Sequence, residues 1–164
     1  MSEKMTPTSE HSKSEKSEAR ILLHELEATK KYVFHGSPNP DTQELELRQP
    51  HDFSTGKKEK HGEPCIAASP YADIAIFRAV MRHDYTGFGS HGRTLEFRAT
   101  QKALDHAKNK TGYVYVLSRG DFLPLHGNAN GMEWRAKKSQ RPIRIIRVSF
   151  DDLPENITLI HKPF

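Results

Sequence analysis

The residues best suited to chemistry stand where predicted strands end. The stretch KYVFHGSPNP, residues 31–40, runs from an apolar strand into His35, Gly36 and Ser37, and two prolines follow. Glu133 stands directly before Trp134 in a second strand-like stretch. An imidazole on a rigid element can orient a hydroxyl group, and a fixed carboxylate can stabilise a developing positive charge. Taken singly, each residue is more often structural than catalytic, so the surrounding elements matter.

Helices and strands are predicted on both sides of these residues. Helical spacing predicts a helix over 18–31, the run YVFH predicts a strand, and PCIAAS (64–69) predicts a buried strand. Residues 70–83 predict a helix with Pro70 in its first turn. We also predict a glycine-rich loop or hairpin at 84–93, a short helix at 101–109, and strands at 45–48, 94–100, 112–119 and within GMEWRAK, PIRIIRVSF and NITLIHK. Because strands outnumber helices without alternating with them, we expect an α+β domain.

The length of 164 residues fits one domain with its own core. Residues 1–18 contain five serines, seven charges of mixed sign and only two apolar residues, both methionine. Such a segment buries too little surface to offset its ordering entropy, so we predict a disordered polar tail over 1–18 and a single domain over 19–164. No signal-peptide core or membrane-length apolar run is present in the sequence, which predicts a soluble cytoplasmic protein.

Several kinds of site are disfavoured by the residue pattern. Ten histidines occur without paired cysteines or a ligand-spaced cluster, so we expect no metal site. Cys65 lies in an apolar strand without a cationic neighbour in sequence, which favours an inert thiol. The net charge is +4, and six cations gather in RAKKSQRPIRIIR (135–147). That basic stretch is either a solvated surface or a phosphate-attracting face.

The pieces YVFHGSP, PCIAASPYADIAIFRA, YVYVL and MEWRAKKSQRPIRIIRV occur in this order over roughly residues 31–150. Together they resemble the ADP-ribosyltransferase-like superfamily. The resemblance is closest to its His–Tyr–Glu branch, which includes diphtheria toxin, the poly(ADP-ribose) polymerases and rifampin ADP-ribosyltransferase. It implies a mixed, largely antiparallel split β-sheet core with a few short flanking helices.

The resemblance also implies site roles, with NAD as the substrate. His35 would hydrogen-bond an NAD ribose, the backbone of Gly36 would clamp the nicotinamide carboxamide, and Ser37 would lie beside that ribose. Glu133 would be the catalytic glutamate at the nicotinamide ribose. Where the family often has a strand tyrosine this chain has Cys65 or Ile66, so Tyr71 and Phe77 are the candidates for the aromatic positions.

These roles predict an NAD-dependent ADP-ribosyltransferase, or an NAD glycohydrolase if water is the acceptor. Glu133 would stabilise the oxocarbenium-like cation that forms as the nicotinamide–ribose bond breaks. Three alternatives stay open: a non-catalytic module that binds a nucleotide or nucleic acid on the same fold, a tRNA 2′-phosphotransferase-like enzyme, and an α+β domain in which the motifs are accidental. The acceptor, and a role as a toxin, a defence factor or a housekeeping enzyme, are left undecided.

Overall fold

The computed structural model describes residues 18–52, 57, 59–81, 86–91 and 94–161. The predicted disordered tail lies outside the described residues except for Glu18, which is the first residue of a helix. Within the described ranges the elements follow in this order: α1 (Glu18–Ala28), β1 (Tyr32–Ser37), β2 (His51–Asp52), β3 (Glu59–Lys60), β4 (Ile66–Ala68), α2 (Ala72–Val80), β5 (Thr86–His91), β6 (Thr94–Thr100), α3 (Gln101–Ala107), β7 (Thr111–Ser118), β8 (Phe122–Pro124), β9 (Trp134–Ala136), β10 (Arg144–Ser149) and β11 (Ile157–Ile160).

The architecture is mixed α+β, as the sequence predicts. Two three-stranded antiparallel sheets have the orders β1-β7-β10 and β4-β9-β8. A third sheet has the order β11-β6-β5, in which β11 pairs with β6 in parallel, and β2 pairs with β3. Two backbone hydrogen bonds between Phe34 and Ser69 join the first sheet to the second at one point.

One hydrophobic cluster fills the space between the first two sheets. Val33, Tyr115 and Leu117 contribute from β1 and β7, and Ile66 and Trp134 contribute from β4 and β9. Alternation along these strands directs every second side chain to the same face of the sheet. Strand β1, which carries His35, and strand β9, which directly follows Glu133, therefore share one hydrophobic core.

Helix α2 packs on the other face of β1 and β7 at unusually close range. A Cβ atom on Gly36 would lie 2.2 Å from the carbonyl oxygen of Ala75, and one on Gly112 would lie 2.3 Å from that of Ala79. Only glycine permits such an approach of a strand to a helix backbone. The seam of Gly36, Gly112, Ala75 and Ala79 fixes α2 against the strand that bears His35.

The structure corrects several predicted boundaries. Helix α1 ends at Ala28, before Lys30, whose φ of 59° is left-handed. Helix α2 begins at Ala72, so Pro70 precedes the helix and Tyr71 is its N-cap residue. The predicted strand at 45–48 is replaced by single bridges, from Leu45 to Gln140 and from Arg48 to Cys65.

The glycine-rich segment is more ordered than a loop. Residues 86–91 of the predicted 84–93 loop form β5, which pairs antiparallel with β6 as one arm of a hairpin. Its glycines conceal the alternation that usually indicates a strand, but Phe88 lies opposite Phe97 across the pair. None of the three described helices has the length and apolar character needed to cross a bilayer.

Candidate functional site

His35, Gly36 and Glu133 line the same cavity, although they are far apart in the sequence. We call it the deep cleft, and its volume is about 20 Å³. The bridge between Phe34 and Ser69 brings β1 beside β4, and the pairing of β4 with β9 places Glu133, the residue before β9, on the same side. The other lining residues are Phe34, Ala67, Ala68, Ser69, Ile74, Ala75, Arg78, Phe88 and Met132.

His35 is oriented by the neighbouring strand. Its Nδ1 lies 2.8 Å from the carbonyl oxygen of Ala67, which can only accept a hydrogen bond, so Nδ1 carries the proton. Burial lowers the pKa of His35, and the nearby Arg78 and Arg48 lower it further, whereas the bond to Ala67 opposes the shift. The imidazole is therefore neutral at pH 7, and Nε2 is left as a hydrogen-bond acceptor.

The backbone of Gly36 faces an open edge of β1. The N–H and C=O of Phe34 bond to Ser69 and hence point away from β7. Residues two apart on a strand direct these groups to the same edge, so those of Gly36 point to the edge on which β4 lies. No loop backbone or side chain among the described residues hydrogen-bonds to them. This edge has one donor and one acceptor, the pair needed to bind a carboxamide.

Glu133 is held by an arginine two residues along the chain. Arg135 Nε donates to Oε2 of Glu133, and Arg135 Nη1 donates to the carbonyl oxygen of His61 at 3.0 Å. A guanidinium donor stabilises the ionised carboxylate and fixes its direction. The backbone of Glu133 is also held, because Leu125 N–H donates to its carbonyl at 2.9 Å. Among the described residues no hydrogen bond or ion pair involves the second carboxylate oxygen, Oε1.

Of the other three predicted site residues, Ser37 lines a second cavity together with His35 and Gly36, whereas Phe77 and Tyr71 do not. Phe77 is only 1% exposed and packs against Phe88 and Phe97 in the core, so it cannot stack on a ligand in this arrangement. Tyr71 lines neither cavity beside His35; its hydroxyl donates to the carbonyl oxygen of Asn130 at 2.7 Å. Ser37 is buried, and its Oγ accepts from the N–H of Asn39.

Four residues that the sequence did not single out shape the site. Phe88 on β5 and Met132 supply the apolar walls of the deep cleft. Tyr115 packs edge-on against the His35 ring at 6.3 Å between ring centroids, and its hydroxyl accepts from the N–H of Thr42. Arg135 fixes Glu133. The strand alternation around Tyr115 indicated an inward side chain, but nothing local indicated its partner.

A larger groove is continuous with the deep cleft. We call it the wide groove; its volume is about 780 Å³, and it shares His35, Gly36, Ala67 and Arg78 with the cleft. Its other walls come from residues 37–50 and from Cys65 and Ile66, with Arg48 among them. The two cavities together form an elongated site with one narrow apolar end.

The structure also places Cys65, the basic stretch and the side chains that could bind a metal ion. Burial raises the pKa of the Cys65 thiol, which disfavours a nucleophilic thiolate. In the basic stretch, Arg135 pairs with Glu133, Lys137 with Glu63 and Arg141 with Glu44. In the described ranges no three His, Cys, Asp or Glu side chains are grouped closely enough to hold a metal ion.

The backbone of Gly36 offers the donor and acceptor that a carboxamide needs. His35 Nε2 can accept a hydrogen bond from a hydroxyl group, and Glu133 presents a negative charge. Those three capabilities suit the cleavage of a glycosidic bond next to an amide-bearing leaving group. No protein-family model matches the chain, and no curated protein or solved structure matches it either.

Proposed function

We propose that this protein cleaves the nicotinamide–ribose bond of NAD and transfers ADP-ribose to an acceptor or to water. The fold proposed with this activity is that of the ADP-ribosyltransferase-like superfamily. One observation carries the proposal: His35, Gly36 and Glu133, which the resemblance assigns to one NAD site, line one cleft.

Glu133 is the catalytic residue in this proposal. As the bond breaks, the positive charge of the nicotinamide ring moves onto the ribose and neutral nicotinamide leaves. The carboxylate interacts more strongly with this ribose cation than with the uncharged ribose of the ground state, which lowers the barrier. Arg135 is a positioning residue whose guanidinium donor fixes the direction of the carboxylate. His35 Nε2 accepts a hydrogen bond from a ribose hydroxyl, and the N–H and C=O of Gly36 hydrogen-bond to the carboxamide.

The stacking aromatic in this proposal is Phe88 rather than Tyr71 or Phe77. Phe88 lies on the wall of the deep cleft, and Arg78 covers its ring with the guanidinium carbon 5.8 Å from the centroid. A cleft of about 20 Å³ holds little more than one water. Binding of a nicotinamide ring therefore requires part of the lining to move, and we expect Met132, on the segment 128–132, to be the residue that moves aside.

The test compares the wild-type protein with Glu133→Gln in the release of nicotinamide from NAD. Gln keeps the shape of the side chain but removes the charge, so we expect the rate to fall by about 10²–10³. Binding of NAD, measured by titration calorimetry, should change far less than the rate, because the charge acts in the transition state.

Glu25→Gln is the matched control, since Glu25 is an exposed glutamate of α1 and should leave the rate unchanged. Melting temperatures of both variants show that they fold. Equal rates for the wild type and Glu133→Gln, or no nicotinamide from the wild type, would contradict the proposal.

A further inference from the structure

Two arginines that line the wide groove near His35 form no ion pair with any described acidic residue. Arg48 and Arg78 are both exposed, and both line the groove. Ion pairs in the described part of the chain involve neither of them. Arg78 also borders the deep cleft. Two unpaired guanidinium groups on one cavity are a strong attraction for an anion.

The other charges of the groove leave a positive centre at His35. Glu44 and Glu46 line the groove as well, but Glu44 accepts a hydrogen bond from Arg141 at 3.3 Å. Both Arg48 and Arg78 lower the pKa of His35 by their charge, whereas no carboxylate contributes to that shift. The electrostatic potential at the imidazole is therefore positive. A neutral His35 can accept a hydrogen bond from a hydroxyl group beside a bound anion.

We propose that Arg48 and Arg78 form a subsite for the pyrophosphate of a nucleoside diphosphate, placed between the deep cleft and the rest of the wide groove. The inference rests on the proposed function for what occupies the cleft. A planar guanidinium donates two parallel hydrogen bonds to phosphate oxygens. The groove volume of about 780 Å³ lies within the range of ligand sites, and the cavities share His35, Gly36, Ala67 and Arg78.

The test measures the binding of ADP, inorganic pyrophosphate and adenosine by titration calorimetry. The variant is Arg48→Gln/Arg78→Gln, and the matched control is Arg144→Gln/Arg147→Gln, which removes two exposed arginines of β10 that line neither cavity. We expect ADP and pyrophosphate to bind at least about tenfold more weakly to the first variant, because charged hydrogen bonds are lost. The control should bind both like the wild type. Adenosine should bind equally to all three proteins.

Each outcome separates this inference from the proposed function. If ADP binding depends on the two arginines but NAD is not cleaved, the subsite stands and the proposed function fails. If the double variant binds ADP like the wild type, or if the wild type binds neither ADP nor pyrophosphate, the subsite is excluded even if NAD is cleaved. The subsite would also be excluded if single-stranded RNA bound the wild type but not the double variant while both proteins bound ADP equally. Melting curves establish that the variants fold.

Discussion

His35 and Glu133 are fixed by different kinds of partner. A backbone carbonyl, that of Ala67, receives the Nδ1 proton of His35, whereas the side chain of Arg135 holds Glu133. A backbone partner persists through most substitutions, but a side-chain partner can be removed by one. Glu133 is therefore the more vulnerable of the two, and its orientation depends on a residue that has no role of its own in binding.

His24 joins two helices through a charged contact. Its Nε2 lies 2.8 Å from Oδ1 of Asp73. The Asp73 carboxylate also accepts two hydrogen bonds from Arg20, one at each oxygen. The bond to Asp73 raises the pKa of His24, although burial and the charge of Arg20 oppose the shift and Glu27 supports it. Burial would raise the pKa of Asp73, but the hydrogen bonds from His24 and Arg20 hold it below its usual value.

This contact predicts a pH-dependent stability. Because the folded pKa of His24 is raised, its contribution is complete below the unfolded pKa of about 6.5 and disappears as pH rises through the folded pKa. We expect His24→Gln to lower the melting temperature by roughly 1–3 °C near pH 5.5 and by less near pH 9. His126→Gln, at an exposed site, is the control. A melting-temperature difference independent of pH would contradict the prediction.

The identity of the site residues was only partly accessible from the sequence. His35, Gly36 and Glu133 stand at strand ends in recognisable motifs, and the structure brings them together. Tyr115 meets His35 only because β7 pairs with β1, which no local pattern encodes. Arg135 lies only two residues from Glu133, but it is also held by the carbonyl oxygen of His61, which packing of the whole chain brings beside it.

At the level of elements, Gly36 has a packing role in the seam between α2 and β1 and a second role at the edge of its strand. The resemblance assigns the backbone of Gly36 to a ligand clamp, and the structure shows that a side chain at this position would collide with the backbone of Ala75. The glycine is required on its helix side by packing, and its N–H and C=O are exposed on the edge of the strand. Packing alone would therefore preserve this glycine, so its presence is no proof of ligand binding.

The seam predicts a large cost for a single methyl group. We expect Gly36→Ala to lower the free energy of unfolding by about 1–3 kcal/mol, because its Cβ would lie 2.2 Å from the Ala75 oxygen and 2.8 Å from the Ala79 nitrogen. Gly120→Ala is the control, since the nearest atom to its Cβ would be Ser118 Oγ at 3.7 Å. Urea denaturation measures both variants. Equal stabilities would show that the helix yields without cost.

The elements were predicted best where the pattern of residues was regular. Strand β7 and helix α3 match runs of alternating and helical spacing, whereas the segment of β5 was predicted only as a glycine-rich loop or hairpin. No strand alternation therefore singled out Phe88, the aromatic residue on the cleft wall, and Phe77 was the apparent candidate. Sequence spacing alone cannot distinguish a helix face that packs in the core from one that faces a ligand.

For the whole molecule, the basic stretch is less available than its sequence suggests. Three of its six cations, Arg135, Lys137 and Arg141, pair with glutamates. A single-stranded RNA ligand that used all six would give a slope of log K against log salt of about −4. We expect a slope no steeper than about −2 and only weak binding at physiological ionic strength.

Fluorescence anisotropy with a labelled oligonucleotide, measured over a series of salt concentrations, gives this slope. Arg141→Gln should leave it almost unchanged, because Glu44 already partners that cation. Tight binding with a slope near −4 would instead favour the nucleic-acid module.

The α+β class followed from the order of predicted elements, but the convergence of residues 35 and 133 followed only from the resemblance, since no periodicity specifies which distant strands meet.

The hydrogen bond from Tyr71 to Asn130 has a kinetic consequence. It anchors the segment that carries Met132, while the opposite wall of the cleft is immobilised by the tight contact of α2 with its strands. If a ring enters the deep cleft by displacing Met132, as proposed above, the segment must shift against this hydrogen bond each time a ring enters or leaves. In an enzyme built this way, the frequency of that opening would set the ceiling on turnover, however fast the bond cleavage itself became.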